Sequence, residues 1–331
     1  MEIKQPYLLF LGDAPDQLAA KTAQGVAQWR PEAALGQLRL DGCKADLGVP
    51  DLSLEAGLEA GAKTLVVGVA NRGGVISAAW TEVLVRALAL GYDLASGLHS
   101  KLADVPALAE AAARHGRQLF DVRHPTETFE VGNGKKRSGK RLLTVGTDCS
   151  VGKMYTSLAI EKEMQGRGLK ATFRATGQTG ILIAGGGVSV DAVVADFISG
   201  ATESLAPAND ADHWDVVEGQ GSLFHASFAG VSMGLLHGAQ PDILVLCHEP
   251  TRTHMRGLPG YPLPDLEACL EANLAAARLT NPAVSCAGVA VNTSSMERDA
   301  AARYLEETEA RLGLPAADPV RDGVGRIVDR L

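Results

Sequence analysis

The stretch Arg141-Leu-Leu-Thr-Val-Gly-Thr-Asp-Cys-Ser-Val-Gly-Lys-Met154 decides the fold of this chain. Its first half is an apolar run typical of a buried strand, and its second half is a glycine-rich turn that ends in Gly152-Lys153. A helix-forming run, Tyr155 to Gln165, follows directly. This order predicts a phosphate-binding loop, in which backbone N–H groups and a helix N-terminus hold an anion while a lysine reaches the outer phosphate.

Two features depart from the usual phosphate-loop pattern. Five residues, rather than four, separate Gly146 from Gly152. Position 154, where a Ser or Thr hydroxyl normally binds magnesium, is methionine. We therefore expect a loop that binds phosphates but is poorly suited to magnesium-assisted ATP hydrolysis, and we predict no metal site. The predicted cofactor-binding residues of this loop are Gly146, Thr147, Asp148, Cys149, Ser150, Val151, Gly152, Lys153 and Met154.

Length and composition suit a two-domain α/β protein. The chain has 331 residues, of which 46% are hydrophobic and only 5% aromatic, and 37 are glycine. This mix favours a core of Ala, Val and Leu with many tight strand–helix turns. The net charge of −8 and the lack of a Lys/Arg stripe argue against nucleic-acid binding. The five cysteines show no CxxC or zinc spacing, and no signal-peptide core or membrane-length apolar run is present, so a soluble cytoplasmic protein is expected.

The first part of the chain alternates strand-like and helix-like segments. The predicted strands are Tyr7–Leu11, Thr64–Val69 and Gln118–Val122, and the predicted helices are Asp16–Trp29, Ser77–Leu90 and Val105–His115. This pattern predicts a Rossmann-like N-terminal domain over residues 1–130. The polar, glycine-containing stretch that follows is interpreted as a linker over residues 131–140. The Asn71-Arg-Gly-Gly74 turn and His99 are further candidates for contacting a substrate.

The remaining residues, 141–331, predict a doubly wound parallel sheet of the P-loop NTPase type. The predicted strands are Leu142–Val145, Ala171–Ala175, Asp215–Val217, Ile243–Cys247 and Ala287–Val291, and the predicted helices include Leu266–Ala277 and Met296–Leu312. Several strands are continuous apolar runs, as a sheet covered on both faces requires. Ligands of such sheets bind at the carboxyl ends of the strands, so the residues that follow each strand are functional candidates.

Polar residues concentrate at these strand ends. The candidate catalytic residues are Glu218, His248 and Asp196, since a carboxylate or a histidine can act as a general base. Candidate substrate-binding residues are Arg174, Gln178, Thr179, Gln220, Arg252 and Arg256. The arginines match a carboxylate in bidentate fashion. Structural alternatives remain open: a loop carboxylate at 218, a helix salt bridge at 196, a turn histidine at 248 and surface arginines.

Several of these segments resemble the dethiobiotin synthetase group of P-loop proteins. Gly146–Lys153, with its five intervening residues, resembles the phosphate loop of that group. Glu218-Gly-Gln-Gly221 resembles its acidic-glycine motif, and Arg174-Ala-Thr-Gly177 resembles the strand end on its substrate side. Asn292 matches the position from which the group contacts a purine base. The resemblance therefore implies that Asn292 belongs to the cofactor site.

A closer resemblance covers nearly the whole chain. Gly177–Ile181, Val190–Phe197, Glu218–Ser222 and Cys247–Pro250 resemble a family with an N-terminal Rossmann-like domain that includes the DgcN-type D-glutamate N-acetyltransferases. The resemblance implies an enzyme that transfers an acetyl group from acetyl-CoA to the amine of a small amino acid, D-glutamate being the suggested acceptor. The loop would then hold CoA phosphates. Met154 fits this function, because anchoring a diphosphate without phosphoryl transfer needs no magnesium ligand.

Two other functions fit the same motifs. The first is a ligase or carboxylase-like enzyme that uses Mg-ATP, which predicts magnesium dependence. The second is a nucleotide-binding regulator without turnover, which predicts ligand-dependent stabilisation but no product. Under the leading hypothesis the partner is a small-molecule amino acid, with no nucleic acid and no membrane. A homo-oligomer is expected only because most soluble oligomers are of that kind.

Overall fold

A computed structural model describes residues 2–70 and 74–331 of the chain. Residues 71–73 of the predicted Asn71–Gly74 turn lie outside the described residues. The strands are β1 (Tyr7–Gly12), β2 (Ala34–Arg39), β3 (Thr64–Val67), β4 (Asp93–Ser96), β5 (Leu119–Asp121), β6 (Lys140–Gly146), β7 (Ala171–Arg174), β8 (Trp214–Val217), β9 (Ile243–His248), β10 (Ser285–Val291) and β11 (Ala316–Ala317). The α-helices are α1 (Lys21–Trp29), α2 (Leu54–Glu59), α3 (Ala78–Leu90), α4 (Pro106–His115), α5 (Lys153–Gly166), α6 (Gln178–Ala184), α7 (Ile198–Leu205), α8 (Ala229–Ala239), α9 (Leu266–Ala277), α10 (Arg298–Leu312) and α11 (Gly325–Val328).

The chain forms two compact units. The first contains the residues up to Thr126 together with Gly177–Ala192, and the second contains Glu127–Thr176 and Val193–Leu331. The segment Gly177–Ala192, which the sequence assigns to the P-loop domain, thus belongs to the first unit. The predicted linker is tied to the second unit, because the Glu203 carboxylate accepts hydrogen bonds from the backbone N–H groups of Asn133 and Gly134 at 3.0–3.1 Å.

The first unit contains a parallel sheet with the strand order β2-β1-β3-β4-β5. This is one of the two common orders of doubly wound α/β folds, so the Rossmann-like prediction is confirmed. Every residue of β1 is buried, as expected for a parallel strand covered on both faces. Helix α6 packs on α1, where a side chain at Gly25 would lie 3.3 Å from Ile183.

Helix α1 and strands β2 and β4 are among the features of the first unit that differ from the predictions. Helix α1 begins at Lys21, later than predicted, because the Asp16 carboxylate accepts a hydrogen bond from the Ala19 N–H (2.8 Å) and holds a turn there. Strand β2 was not predicted, since Ala-Leu-Gly-Gln-Leu-Arg contains no β-branched residue. Strand β4 was also missed, because it has only four residues and begins with a buried aspartate, Asp93.

The second unit contains a larger parallel sheet with the strand order β11-β10-β9-β6-β8-β7. Strand β6 lies at its centre and leads into the predicted phosphate loop, so the P-loop fold is confirmed. The predicted strands of this half match β6 to β10, whereas the two-residue β11 was too short to detect. One core cluster joins the sheet to α8 and α9, and includes Leu143, Leu235, Leu246 and Leu270.

Helix boundaries in the second unit follow local capping chemistry. Helix α9 begins where the Asp265 carboxylate accepts hydrogen bonds from two N–H groups of the first turn, at 2.9 and 3.2 Å. Helix α10 ends at Gly313, which takes the left-handed conformation that favours glycine. Among the described residues, no helix has both the length and the apolar composition needed to cross a membrane.

Candidate active site at the phosphate loop

The loop between β6 and α5 has the compact geometry of a phosphate-binding loop. A side chain at Gly146 would come within 2.8 Å of Val151, so only glycine fits where the strand turns into the loop. Gly152 ends the loop with φ of 101°, a left-handed value that favours glycine, and Ser150 takes φ of 55°. Helix α5 starts at once with Lys153, so its free N–H groups face the loop.

Lys153 is folded back into its own loop. Its side chain is only 6% exposed, and Nζ donates a hydrogen bond to the Asp148 carbonyl at 2.8 Å. Burial lowers the pKa of this ammonium, while the nearby Glu218 carboxylate opposes that shift. An anion at the helix N-terminus would give the ammonium a stronger partner than a carbonyl. The predicted phosphate-binding lysine is therefore in place and can exchange its carbonyl partner for a phosphate oxygen.

Asp148 connects the phosphate loop to the segment after β9. Its carboxylate is fully buried and accepts hydrogen bonds from the N–H groups of Cys149 (2.7 Å) and Arg256 (2.8 Å). The Arg252 guanidinium donates a third hydrogen bond, also at 2.7 Å. A buried carboxylate needs such partners, because an unpaired charge in the interior is strongly destabilising. The predicted cofactor residue Asp148 is thus a bracing residue of the loop.

Arg252 supports the loop rather than extending into open space. Besides Asp148, it donates hydrogen bonds to the carbonyls of Cys149 (2.6 Å) and Ser150 (3.2 Å) and forms an ion pair with Glu249. One guanidinium thereby holds three successive loop residues. Substrate binding by Arg252 was predicted from the sequence. In this structure its Nη1 and Nη2 groups serve the phosphate loop.

Arg256 is more available for binding a ligand. Its side chain is exposed and contacts the Ser150 hydroxyl, at the outer side of the loop. Its carbonyl is held by His225, whose Nε2 lies 3.0 Å away. The predicted role of Arg256 in binding a carboxylate is compatible with this position.

The residues after the loop offer no obvious replacement for the missing magnesium ligand. Met154 is half-buried and has no hydroxyl group. The Thr156 hydroxyl donates to the Gly152 carbonyl at 3.0 Å and accepts a hydrogen bond from the buried Cys247 thiol. Because the Thr156 hydroxyl is used within its own helix, it does not take over the position of a Ser or Thr at 154.

Glu218 lies at the end of β8, next to the phosphate loop, and is 4% exposed. Its carboxylate accepts hydrogen bonds from the Thr176 N–H (2.9 Å) and from the Gln220 amide (3.2 Å). The Thr176 hydroxyl in turn donates to the Glu218 carbonyl at 2.7 Å. Two predicted site residues, Glu218 and Gln220, are thus brought together, and Thr176 joins them although sequence reasoning did not single it out.

Gly219 makes the closest approach of the site, and its replacement is a direct test of the packing. A Cβ atom there would lie 1.7 Å from the Thr144 carbonyl oxygen and 3.0 Å from the Lys153 side chain. We expect Gly219→Ala to destabilise the protein by at least about 2 kcal/mol, because backbone must move to relieve the clash. Chemical denaturation measures this change. Gly166→Ala is the matched control, since nothing lies within 4 Å of a Cβ there, and equal stability of the two variants would contradict the packing.

His248 ends β9 and faces the phosphate loop. Its Nδ1 lies 2.9 Å from the Thr147 hydroxyl, and its ring stacks on Tyr304 with centroids 6.1 Å apart. Burial, aided by the Arg252 charge, lowers the pKa of His248 from 6.5 to about 4. His248 is therefore neutral at pH 7 and forms a hydrogen bond with the loop.

The lowered pKa of His248 predicts a pH dependence of folding. Because the unfolded histidine (pKa 6.5) binds a proton more readily than the folded one (about 4), stability should fall as pH decreases from about 6.5 to about 4. The expected loss is about 3 kcal/mol for the full shift. Denaturation curves at several pH values for wild type and His248→Asn measure it, because the variant lacks this titration. Parallel pH profiles for the two proteins would rule the effect out.

Asn292 lies just beyond β10, on the opposite side of the loop from Glu218. Its N–H donates to the His248 carbonyl at 2.8 Å, and its side-chain oxygen accepts a hydrogen bond from the Ser294 N–H at 3.1 Å. The next residue, Thr293, is bound through its N–H and hydroxyl to the Asp318 carboxylate at 2.9 and 2.5 Å. The structure thus places Asn292 at the carboxyl edge of the sheet, as predicted.

Arg174 and Asp196, two other predicted site residues, are not joined to the phosphate loop by a hydrogen bond in the described part of the chain. Arg174 ends β7, but its Nε donates to Asp215 at 2.7 Å, and Asp215 precedes the β8 residue that pairs with Arg174. The guanidinium therefore runs back along the sheet, away from its carboxyl edge. Asp196 is exposed in a short 3-10 helix, and among the described residues no hydrogen bond joins it to the phosphate loop. Gln178 and Thr179 belong to α6, in the first unit.

One group of side chains has the composition of a metal site. Ligand atoms of Asp148, Cys149 and His225 all lie within 4.8 Å of one another. The hydrogen bonds of His225 oppose metal binding, because Nδ1 accepts from the Ser227 N–H (3.2 Å), which leaves the proton on Nε2 facing the Arg256 carbonyl. A metal at Nε2 would have to displace that proton. Burial also raises the pKa of Cys149, which disfavours the thiolate that a metal or a nucleophilic role requires.

Fold and site together define a two-domain α/β protein whose second domain is a P-loop domain. A family model described as a domain of unknown function, DUF1611_C, P-loop domain, matches residues 130–328, and a DUF1611_N Rossmann-like model matches residues 38–125. The chain belongs to the DUF1611 family.

Known relatives resemble the chain along its full length. A D-glutamate N-acetyltransferase of Tritonibacter scottomollicae is 60% identical over 329 residues, which is 99% of each chain. A D-glutamate N-acetyltransferase of a Pseudoalteromonas species is 52% identical over 331 residues, which is 100% of each chain. A crystal structure of a DUF1611 family protein from Anabaena variabilis matches with a TM-score of 0.84 and 32% identity, covering 99% of each chain.

Proposed function

We propose that this protein transfers the acetyl group of acetyl-CoA to the amine of D-glutamate. The observation that carries the proposal is the identity of 60% and 52%, over the whole chain, with two proteins named D-glutamate N-acetyltransferase. The phosphate loop supports acetyl-CoA as the donor, because it offers an anion site without a hydroxyl at position 154 to bind magnesium. A CoA diphosphate needs anchoring but undergoes no phosphoryl transfer.

In this proposal the loop amides and Lys153 hold the diphosphate of CoA. The N-terminus of α5 adds a favourable partial charge. On binding, the Lys153 ammonium exchanges the Asp148 carbonyl for a phosphate oxygen, while Arg252 and Asp148 keep the loop in shape. This fixes the position of the donor, and such positioning supplies much of the rate enhancement in a direct transfer.

The transfer itself needs no covalent enzyme intermediate. The substrate ammonium first loses a proton to a base, and the free amine nitrogen then forms a bond to the thioester carbonyl carbon. The carbon–sulfur bond breaks, the CoA thiolate leaves, and the second proton of the attacking nitrogen passes to that sulfur. The products are the N-acetyl amino acid, CoA thiol and one released proton. The enzyme must therefore supply a base and a site for the amino acid.

Glu218 is the better candidate for this base. Its carboxylate lies beside the loop lysine, and the Thr176 N–H and Gln220 amide hold it in one orientation. His248 is less suited, because a pKa of about 4 makes it a poor proton acceptor at neutral pH. Arg256, exposed beside Ser150, is the proposed partner for an acceptor carboxylate.

Replacing Glu218 by glutamine tests the base. The amide oxygen can still accept the Thr176 hydrogen bond, so folding should persist while proton abstraction is lost. We expect kcat to fall by about 100-fold, the lower end of the usual contribution of a general base. Initial-rate assays of the purified variant and wild type measure kcat. The affinity for acetyl-CoA is the control, because it should stay the same in the two proteins. An unchanged kcat would remove Glu218 from this role.

The decisive experiment measures release of free CoA thiol from acetyl-CoA by the purified protein. D-glutamate, L-glutamate and other amino acids are each supplied with and without magnesium and ATP. Release that requires D-glutamate and is independent of magnesium is the expected result. ATP consumption that requires magnesium, without thiol release, would instead support a ligase or carboxylase-like enzyme. Ligand-dependent stabilisation without any product would support a regulator.

A further inference from the structure

The strand ends on the two sides of the phosphate loop carry different groups. On the β8 side the strand ends in the buried carboxylate Glu218. On the β10–β11 side lie Asn292, the buried carboxylate Asp318 and the exposed Arg321 and Asp322. One end of acetyl-CoA is an adenosine with a dianionic 3′-phosphate, and the other is an uncharged thioester that must meet an ammonium group. A guanidinium can bind the phosphate and a carboxylate can accept a proton from the ammonium, so the nucleotide end is placed towards Arg321 and the reacting end towards Glu218.

Asp318 holds the backbone around Arg321 in place. Burial alone would raise the pKa of this carboxylate, but hydrogen bonds from Thr293 and from the N–H groups of Val320 and Arg321 lower it. Since Asp318 is satisfied by these donors, it does not occupy the Arg321 guanidinium. Among the described residues, no carboxylate lies within ion-pairing distance of that guanidinium.

The Arg321 side chain reaches back towards the segment after Asn292. Its Nη2 lies 3.4 Å from the carbonyls of Thr293 and Met296, which are long hydrogen bonds. The remaining donors of an arginine form a fork that suits the oxygens of a phosphate. The Arg321 guanidinium is thus exposed, lies beside the segment that follows β10, and forms no ion pair with a described carboxylate.

We infer that Arg321 binds the 3′-phosphate of CoA and makes the enzyme specific for 3′-phosphorylated donors over other adenine nucleotides. This rests on the proposed use of acetyl-CoA. A single charge-assisted hydrogen bond to phosphate is worth about tenfold in affinity or more. ATP and dephospho-CoA lack this phosphate, so Arg321 separates the proposed donor from nucleotides that the loop alone would accept.

The test compares acetyl-CoA with acetyl-3′-dephospho-CoA as donors for wild type, Arg321→Met and a control, Arg326→Met. Arg326 is an exposed arginine on α11 that pairs with Glu309, so its replacement changes the net charge equally. We expect wild type and Arg326→Met to have a KM about tenfold or more lower for acetyl-CoA than for the dephospho donor. In Arg321→Met that preference should disappear, with the KM for the dephospho donor unchanged.

Each contrary outcome has a distinct meaning. Equal KM values for the two donors in wild type would show that the 3′-phosphate is not bound, while leaving acetyl transfer intact. A preference that persists in Arg321→Met would assign the contact to another residue and overturn the inference. If wild type turns over neither donor, the proposed function itself fails. Thermal melting of each variant confirms that the comparison is made on folded protein.

Discussion

Replacing Lys153 by methionine is expected to weaken acetyl-CoA binding by about 150-fold, since a hydrogen bond to a charged group contributes up to about 3 kcal/mol. The same change should leave the free protein at least as stable as wild type. Burial lowers the pKa of Lys153, so the charged ammonium is less stable in the folded loop than in water. Methionine fills similar space and gives up one hydrogen bond, to the Asp148 carbonyl, together with the attraction of the nearby Glu218 carboxylate, which does not outweigh the effect of burial.

Two measurements check this pair of effects. Isothermal titration with acetyl-CoA gives the affinity, and guanidinium denaturation of the free protein gives the stability. Lys162→Met is the matched control, because Lys162 is exposed on the same helix and removes an equal charge away from the loop. An unchanged affinity of the Lys153 variant would show that phosphates do not bind at this loop. A large loss of stability would show that the lysine is mainly structural.

The phosphate loop could be predicted from the sequence, whereas the side chains that support it could not. The phosphate loop is a local feature, since Gly146–Lys153 contains its own turn, glycines and lysine. The support of the loop is not local: Arg252 lies more than a hundred positions from the loop carbonyls it binds. A sequence pattern shows that an arginine follows a strand, but not which way its side chain turns. Arg174 demonstrates this, because it runs back to Asp215.

The same limit applies to the fold. Strands with continuous apolar runs, such as β1 and β6, were predicted because burial on both faces leaves a clear signal in the sequence. Strand β4 has four residues and β11 only two, which is too short to leave a clear pattern in the sequence. Both are held by hydrogen bonds to strands that are distant in sequence. The assignment of α6 to the first unit is also a matter of tertiary packing. Its own sequence, Gln-Thr-Gly-Ile-Leu-Ile-Ala, does not indicate which sheet it will join.

The loop also shows why the missing magnesium ligand is compatible with anion binding. Met154 has no oxygen ligand for magnesium, and the Thr156 hydroxyl is held by its own helix. What remains at the loop are its backbone N–H groups, the N-terminus of α5 and Lys153. These groups suit a diphosphate that must be held in place. Phosphoryl transfer would in addition need a metal to neutralise the developing charge.

Arg252→Ala is expected to destabilise the protein by about 3 to 5 kcal/mol, the usual cost of removing one partner of a buried ion pair. Among the described residues, the variant leaves the N–H groups of Cys149 and Arg256 as the hydrogen-bond donors to the fully buried Asp148 carboxylate. It also releases the carbonyls of Cys149 and Ser150, so the loop should lose its shape. We therefore expect weaker acetyl-CoA binding as well as lower stability.

A double-mutant cycle separates the charge from the loop geometry. In Arg252→Ala combined with Asp148→Asn the unpaired buried charge is absent, so much of the lost stability should return. Binding should not return, because no side chain then holds the loop carbonyls. Denaturation curves and acetyl-CoA titrations of the two single variants and the double variant test both statements. If the loss of stability in the double variant equals the sum of the losses in the two single variants, Arg252 and Asp148 do not act as a pair. If Arg252→Ala alone keeps full stability and affinity, the loop maintains its shape without this support, and Arg252 is then free to bind the carboxylate of the acceptor.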